Sequence, residues 1–300
     1  MRMLTIDLED WFHLLEWWGS ERVESWDDFE SRLEPATERI LELLERHRTR
    51  ATFFCLGWIA RRHGALIRRI HGLGHEIASH GDEHRPLTSM TPRTARDDLA
   101  RSLDLLGDLV GEPIRSYRAP GFSLVPSTRW MLDVLVAAGI ECDSSIFTGW
   151  HPHGGCRASL EGPGWLVWSD GRLRECPVAA ARLAGVRIPF SGGGFFRVSP
   201  YVWSRGLFRR SAYSVAYFHP RDFDIGQPRA RGLGPIRRLR TYAGIRTASR
   251  RFERLLEDFE FEDMRSAVMR IDWERAPRVR LDGRSAGPVG PAATVCGTAP

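Results

Sequence analysis

Three carboxylates, Asp7, Glu9 and Asp10, close the first apolar run of the chain. Alternate residues of a strand share a face, so Asp7 and Glu9 point the same way, and Asp10 lies where the chain leaves the strand. Carboxylates this close repel one another unless a cation, metal or arginine, sits among them. A second group, Ser79-His80-Gly81-Asp82-Glu83-His84, follows the run 75–79. Its two histidines, four apart, can hold one divalent ion from a helical turn or a tight loop, and Gly81 favours the loop. Arg118 stands just before Ala119-Pro120-Gly121, which ends a strand sharply. It can grip a carboxylate through two N–H groups. His219 ends the apolar run 213–219 before Pro220, and an imidazole there suits general acid or base work. Each group also has an ordinary structural reading: an acidic capping turn, polar loop histidines, a surface arginine before a turn, a histidine capping a proline turn.

The elements that must position these residues are legible as short apolar runs alternating with amphipathic stretches. Strands are predicted at 2–7, 51–56, 75–79, 115–119, 140–145, 173–178 and 213–219. Helices are predicted at 35–47, 59–72, 92–110, 126–138, 199–210 and 247–258. Pro35 opens the first helix ahead of the stripe Ile40, Leu41, Leu43 and Leu44; Thr91-Pro92 starts another, and Gly139 follows a third where a C-cap belongs. This alternation predicts an α/β fold with a mainly parallel sheet, and seven strands favour barrel-like closure over an open sheet. Reactive side chains of such barrels gather at the C-terminal ends of strands, and all four groups fall there. Residues 1–225 are read as the barrel, 226–275 as an Arg- and aromatic-rich extension with a helix, packed on the barrel, and the Gly-, Pro- and Ala-rich 276–300 as a disordered tail.

Composition excludes several chemistries. The 300 residues carry a net charge of +5, and all 43 basic residues are arginine; there is no lysine and no asparagine. A P-loop lysine, a Schiff-base lysine and an N-glycosylation site are therefore ruled out. The arginines are spread along the chain and read mainly as a solvated surface, with no nucleic acid expected. Five cysteines without a Cys-x-x-Cys pair argue against a disulfide framework or zinc ribbon. No apolar run approaches the ~18 residues of a membrane span. The acidic start has no secretory character, so a cytoplasmic location is the expectation.

Taken together and in order, TIDLEDWF (5–12), ATFFCLGWIA (51–60), GHEIASHGDEH (74–84), YRAPGFS (117–123), DSSIF (143–147) and YFHP (217–220) resemble the polysaccharide deacetylases of carbohydrate esterase family four, the NodB-homology family. SGGGFFRVSPY (191–201) and FHPRDFDIGQPR (218–229) are similar to its branch associated with exosortase and exopolysaccharide loci. The resemblance implies a deformed (β/α)7 barrel and a divalent metal ion, zinc first, with cobalt, nickel or iron also compatible. It implies Asp7 as general base, His80 and His84 as metal ligands, Arg118 as the residue that orients the base, and His219 as general acid. The third ligand is open between Glu9, which has the same-face spacing, and Asp10, which has the family's residue type. Asp143 and Trp150 meet the family's fourth motif only loosely. The substrate implied is an N-acetylhexosamine of a polysaccharide or of its lipid-linked precursor, with peripheral contact to membrane-bound polysaccharide assembly proteins.

Tyr117, Pro120, Phe122 and Trp150 are the expected substrate-binding residues, with Trp11, Phe12, Phe195 and Phe196 as further platforms on which sugar rings can stack. Gly192-Gly193-Gly194 is read as a loop lining the cleft and does not fit a nucleotide-binding pattern. Three alternatives stand beside this reading. The first is an iron- and oxoglutarate-dependent oxygenase using His80, Asp82, His219 and Arg229, which the strong helical periods oppose. The second is a hydrolase of non-peptide C–N bonds in small cyclic amides on the same barrel. The third is a non-catalytic glycan-binding protein.

Overall fold

Each of the seven predicted runs forms a strand, and the computed structural model describes residues 1–15, 17, 23–148, 160–178, 180–183, 186–188 and 190–281. The order begins β1 (Arg2–Leu8), α1 (Leu33–Arg46), β2 (Thr52–Cys55), α2 (Gly57–Arg62), α3 (Gly64–Gly72), β3 (Glu76–Ser79), α4 (Pro92–Val110) and β4 (Ser116–Tyr117). It continues with α5 (Met131–Ala137), β5 (Cys142–Asp143), β6 (Gly164–Trp168), β7 (Gly171–Glu175), β8 (Ala181–Leu183), β9 (Val186–Ile188), α6 (Gly193–Val198) and α7 (Tyr201–Arg210). The last elements are β10 (Ser214–Phe218), α8 (Pro235–Tyr242), α9 (Ile245–Asp258), α10 (Met264–Arg270) and β11 (Arg278–Arg280).

Nine strands pair in the order β10-β1-β2-β3-β4-β5-β7-β6-β11. From β10 to β7 every neighbour is parallel. The α/β class and the parallel sheet with covering helices are as expected; closure is not. Among the described residues β10 and β11 do not pair, because the antiparallel hairpin β6–β7 and then β11 extend the far edge. Parallel pairing places the C-terminal ends of β10, β1, β2, β3 and β4 along one rim. The side chains of Asp7 and the residues just past β1, β3, β4 and β10 therefore start out as neighbours.

Local chemistry explains most of these elements. Helix α1 turns Leu33, Ala36, Ile40, Leu41, Leu43 and Leu44 inward, the stripe its spacing predicts. Helix α4 spans 92–110 as predicted: the Thr91 side chain caps Thr94 N, and Gly111 ends the helix at φ +73°. The predicted helix 59–72 is instead two helices, broken at His63, whose φ and ψ of −122° and 37° lie outside the helical region. The predicted helix 126–138 starts as a 3-10 turn at Pro126–Thr128 before α5.

One expectation about the C-terminal region needs correction. The tail read as disordered from 276 contains β11, which pairs with β6 and buries Val279; residues 282–300 lie outside the described ones. The extension 226–275 shares the core. Ala248, Phe252 and Leu255 of α9 belong to the hydrophobic cluster that includes Leu4, Ile6 and Phe218. Met264 N of α10 donates to Thr52 Oγ1 of β2 at 2.7 Å.

Candidate active site

The rim holds a cavity of about 290 Å³, lined by Asp7, Glu9, His13, His80, His84, Phe122, Tyr217, His219 and Arg221 among others. Glu9 stands at its centre. Its Oε1 is 3.3 Å from His80 Nε2, 3.0 Å from His84 Nε2 and 3.7 Å from His219 Nε2, and its Oε2 is 3.4 Å from Arg221 Nη1. Burial pushes the Glu9 carboxyl up, but the positive field of His84, His219 and Arg221 and the His80 hydrogen bond outweigh it and hold the group well below the usual range. Burial pulls His80 down, yet its hydrogen bond to Glu9 and the charges of Asp7 and Glu9 raise it on balance. His84 is lowered, chiefly by burial.

Glu9, His80 and His84 can each turn one ligand atom to a common point, with those atoms all within 4.8 Å of one another. His80 Nδ1 donates to Arg118 O at 2.7 Å, so Nε2 is the ring atom left toward Glu9, and on losing its proton it would offer a lone pair to an ion there. His84 Nε2 and Glu9 Oε2 are buried without a hydrogen-bond partner. Two imidazoles and a carboxylate with orphaned buried atoms fit a divalent transition ion. The loop that delivers the histidines is specialised. Gly81 has φ +78° and His84 φ +50°, and Asp98 of α4 accepts from Asp82 N at 2.8 Å and Glu83 N at 3.2 Å. A left-handed conformation costs a non-glycine residue about 1–2 kcal/mol, so the packing around His84 must hold it there.

Asp10 does not join this group. Its carboxylate accepts from Trp11 N at 2.8 Å, Ser31 Oγ at 2.6 Å and Arg32 N at 3.1 Å, so it ties the segment after β1 to the start of α1. Glu9 has the strand-face parity of Asp7, and Asp10 has the opposite one.

Asp7 is held by Arg118, which is fully buried. Arg118 Nη1 donates to Asp7 Oδ1 at 2.6 Å and to Thr5 Oγ1 at 2.9 Å, and Nη2 and Nε donate to Ser144 Oγ and O at 3.0 and 3.2 Å. The guanidinium carbon lies 4.1 Å over the Phe54 ring. Asp7 Oδ2 is left 3.9 Å from His219 Nε2. His219 is oriented in turn by Asp222, whose Oδ2 accepts from the His219 backbone N at 2.9 Å and lies 3.4 Å from its Nδ1. Although burial opposes it, the nearby Arg197, His219 and Arg221 charges hold the Asp222 carboxyl below its ordinary range, and Arg197 Nε sits 2.9 Å away.

The expected substrate residues divide. Phe122 lines the cavity with φ +54°, packed against Phe147 and Tyr217 at centroid distances of 5.1 Å. Tyr117 does not: one residue out of phase with Arg118, it is buried with Leu99, Leu124 and Met131 under α4 and α5. Pro120 is buried and does not line the cavity, its carbonyl accepting from Ser123 Oγ at 2.7 Å. Trp150 lies outside the described residues. Trp11 and Phe12 are core, packed with Phe29, and Phe196 is core against Phe218. Phe195 also does not line the cavity, whereas Gly194 does. Asp143 is fully buried and accepts from Ser145 Oγ at 2.5 Å, and Ser145 Oγ accepts from Ala119 N.

Sequence reasoning missed Tyr217, Arg221, Asp222 and His13. The first three lie beside His219 in YFHPRD, so proximity to the motif was an available signal. His13 had none. It is buried, and its Nδ1 accepts from Asp10 N at 3.0 Å. Its proton therefore sits on Nε2, which has no partner. Burial, with the His84 charge, lowers it well below the ordinary histidine range, so it is a neutral donor.

Residues 24–141 match the family model of polysaccharide deacetylase, and residues 144–269 match a domain of unknown function (DUF3473). The chain is 30% identical over 134 residues to the peptidoglycan deacetylase of Helicobacter pylori, covering 43% of this chain and 45% of that protein. It is 28% identical over 167 residues to the chitooligosaccharide deacetylase of a Bradyrhizobium species, covering 50% and 74%. It thus spans less than half the length of the first of these relatives. A Mycobacterium smegmatis protein assigned as a polysaccharide deacetylase shares the fold, with a TM-score of 0.62, 19% identity and coverage of 96% and 94%. Residues 24–141 are thus similar to a polysaccharide deacetylase domain.

Proposed function

We propose that this protein is a metal-dependent deacetylase that removes N-acetyl groups from N-acetylhexosamine units of a polysaccharide or its lipid-linked precursor, in the cytoplasm, during exopolysaccharide biosynthesis. The convergence of Glu9, His80 and His84 beside the Asp7–Arg118 pair and His219 carries the reading. The exopolysaccharide role is supported by the resemblance of segments 191–201 and 218–229 alone.

Glu9, His80 and His84 would hold the divalent ion, which when bound supplies Lewis acidity toward water and an acetyl carbonyl. Arg118 fixes Oδ1 of Asp7 and leaves Oδ2 to take a proton from the attacking water. The water oxygen adds to the acetyl carbon, and the C–N bond then breaks. His219, oriented by Asp222, delivers a proton to the leaving amine. The products are acetate and a free amino sugar. His13 Nε2–H is a neutral donor at the cavity for an acetyl or sugar oxygen.

The test pairs bound metal with acetate release on N-acetylated chitooligosaccharides and peptidoglycan fragments, comparing wild type with His80→Ala/His84→Ala. About one ion per chain and acetate release, both lost in the double variant, are expected. Ring opening of cyclic amides without acetate from any glycan would replace the reading. No specific metal, even with added zinc or cobalt, would remove it.

A further inference from the structure

Between Ile225 and Phe252 the chain carries eight arginines and no aspartate or glutamate. Within this stretch α8 forms part of the cavity wall through Arg237, Arg240 and Thr241. On the same helix Ile236 and Leu239 are 71% and 65% exposed, and Ile225 just upstream is 59% exposed. At 100° per residue the Ile236–Leu239 ridge sits about a third of a turn round the helix from the cavity-facing side chains. Among the described residues no core contact covers this ridge, and α8 has no buried residue.

We propose that α8 docks onto the headgroup region of an anionic lipid bilayer, with Ile236 and Leu239 entering the acyl boundary and the arginines meeting lipid phosphates. Charge complementarity selects the occupant: the positive field of a stretch with eight arginines and no acid of its own suits an anionic surface, and an adjoining aliphatic ridge suits an apolar layer beneath it. A nucleic acid would satisfy the charge alone, because isoleucine and leucine offer no flat face for base stacking. No helix among the described residues is long and apolar enough to cross a membrane, so attachment through α8 is peripheral. The docked helix brings the cavity to the bilayer surface. In conjunction with the deacetylase reading, on which this last step rests, the substrate class becomes glycans carried on a lipid anchor.

The experiment is sedimentation of the full chain with vesicles of phosphatidylcholine, alone or with one third phosphatidylglycerol. Stronger partitioning onto the anionic vesicles is expected, lost in about 1 M salt, where the Debye length falls to about 3 Å. Ile236→Ser/Leu239→Ser should weaken it about tenfold or more, with an unchanged circular dichroism spectrum and unchanged acetate release from a water-soluble oligosaccharide. No partitioning onto anionic vesicles, undiminished partitioning of the double variant, or binding of a single-stranded oligonucleotide without vesicle binding would each overturn the proposal. Vesicle binding is read without any glycan, so its failure leaves the deacetylase reading standing, and failure of acetate release leaves the docking standing.

Discussion

Replacing Arg118 with methionine removes the guanidinium from a place water does not reach. Arg118 is fully buried and makes four hydrogen bonds, 2.6 and 2.9 Å to Asp7 and Thr5 and 3.0 and 3.2 Å to Ser144. Methionine keeps much of the volume over Phe54 but leaves Asp7 as a buried carboxylate without its cation. Breaking a buried pair in this way costs about 3–5 kcal/mol. At about 2–3 °C per kcal/mol for a chain of this size, the melting temperature should fall by about 6–15 °C. Removing both charges should cost less than removing one, because the penalty lies in the uncompensated partner. Asp7→Asn/Arg118→Met is therefore expected to melt above Arg118→Met alone. Differential scanning calorimetry on wild type, both single variants and the double variant closes the cycle. A single variant within about 1 kcal/mol of wild type, or a double variant no more stable than Arg118→Met, would refute the argument that the pair is buried and mutually dependent.

Glu9→Gln should reduce bound zinc or cobalt from about one ion per chain to near none, while Asp10→Asn should keep the ion and lower stability by about 1–3 kcal/mol through its lost loop contacts; elemental analysis and melting of the two proteins decide, and the reverse pattern would make Asp10 the ligand. Asp98 is pushed up by burial to about 6 from an ordinary 3.8. Between those values the folded protein holds a proton the unfolded chain has released, so stability falls as pH rises from about 4 to about 6 and the loss, about 3 kcal/mol, is constant above. Urea denaturation of wild type and Asp98→Asn across this range should show that slope in wild type only, and a rising slope would contradict it. At Gly193 a Cβ would stand 2.0 Å from Asp222 Oδ2. Gly193→Ala should thus displace the carboxylate that orients His219, lowering kcat for acetate release at least about tenfold with metal content unchanged; wild-type kcat would show that Asp222 does not position His219.

The sequence by itself determined the site-bearing strands and most of the longer helices, because helix and strand periods, caps and chain-breaking prolines act over a few residues. The stripe in 35–47, the Thr91 cap and the seven apolar runs are signals of that kind; the candidate site residues Asp7, His80, Arg118 and His219 stood out at or beside the ends of such runs, and His84 by its spacing from His80. Only the tertiary structure set Glu9 beside the two histidines and Asp10 apart from them. Both are acids at the end of β1, and the difference is that Ser31 and Arg32, brought in by the start of α1, occupy Asp10. The same limit explains the exchange of Tyr117 for Tyr217: each is an aromatic residue next to a functional one, and which face of the sheet borders the cavity depends on the strand's neighbours. Sheet closure failed as an expectation because β6 and β11 attach to the edge by long-range pairing that local periodicity does not encode. His13 is the clearest case, since its proton is placed by the Asp10 backbone and its position by Trp26, Trp58 and His84, which sequence distance does not bring together.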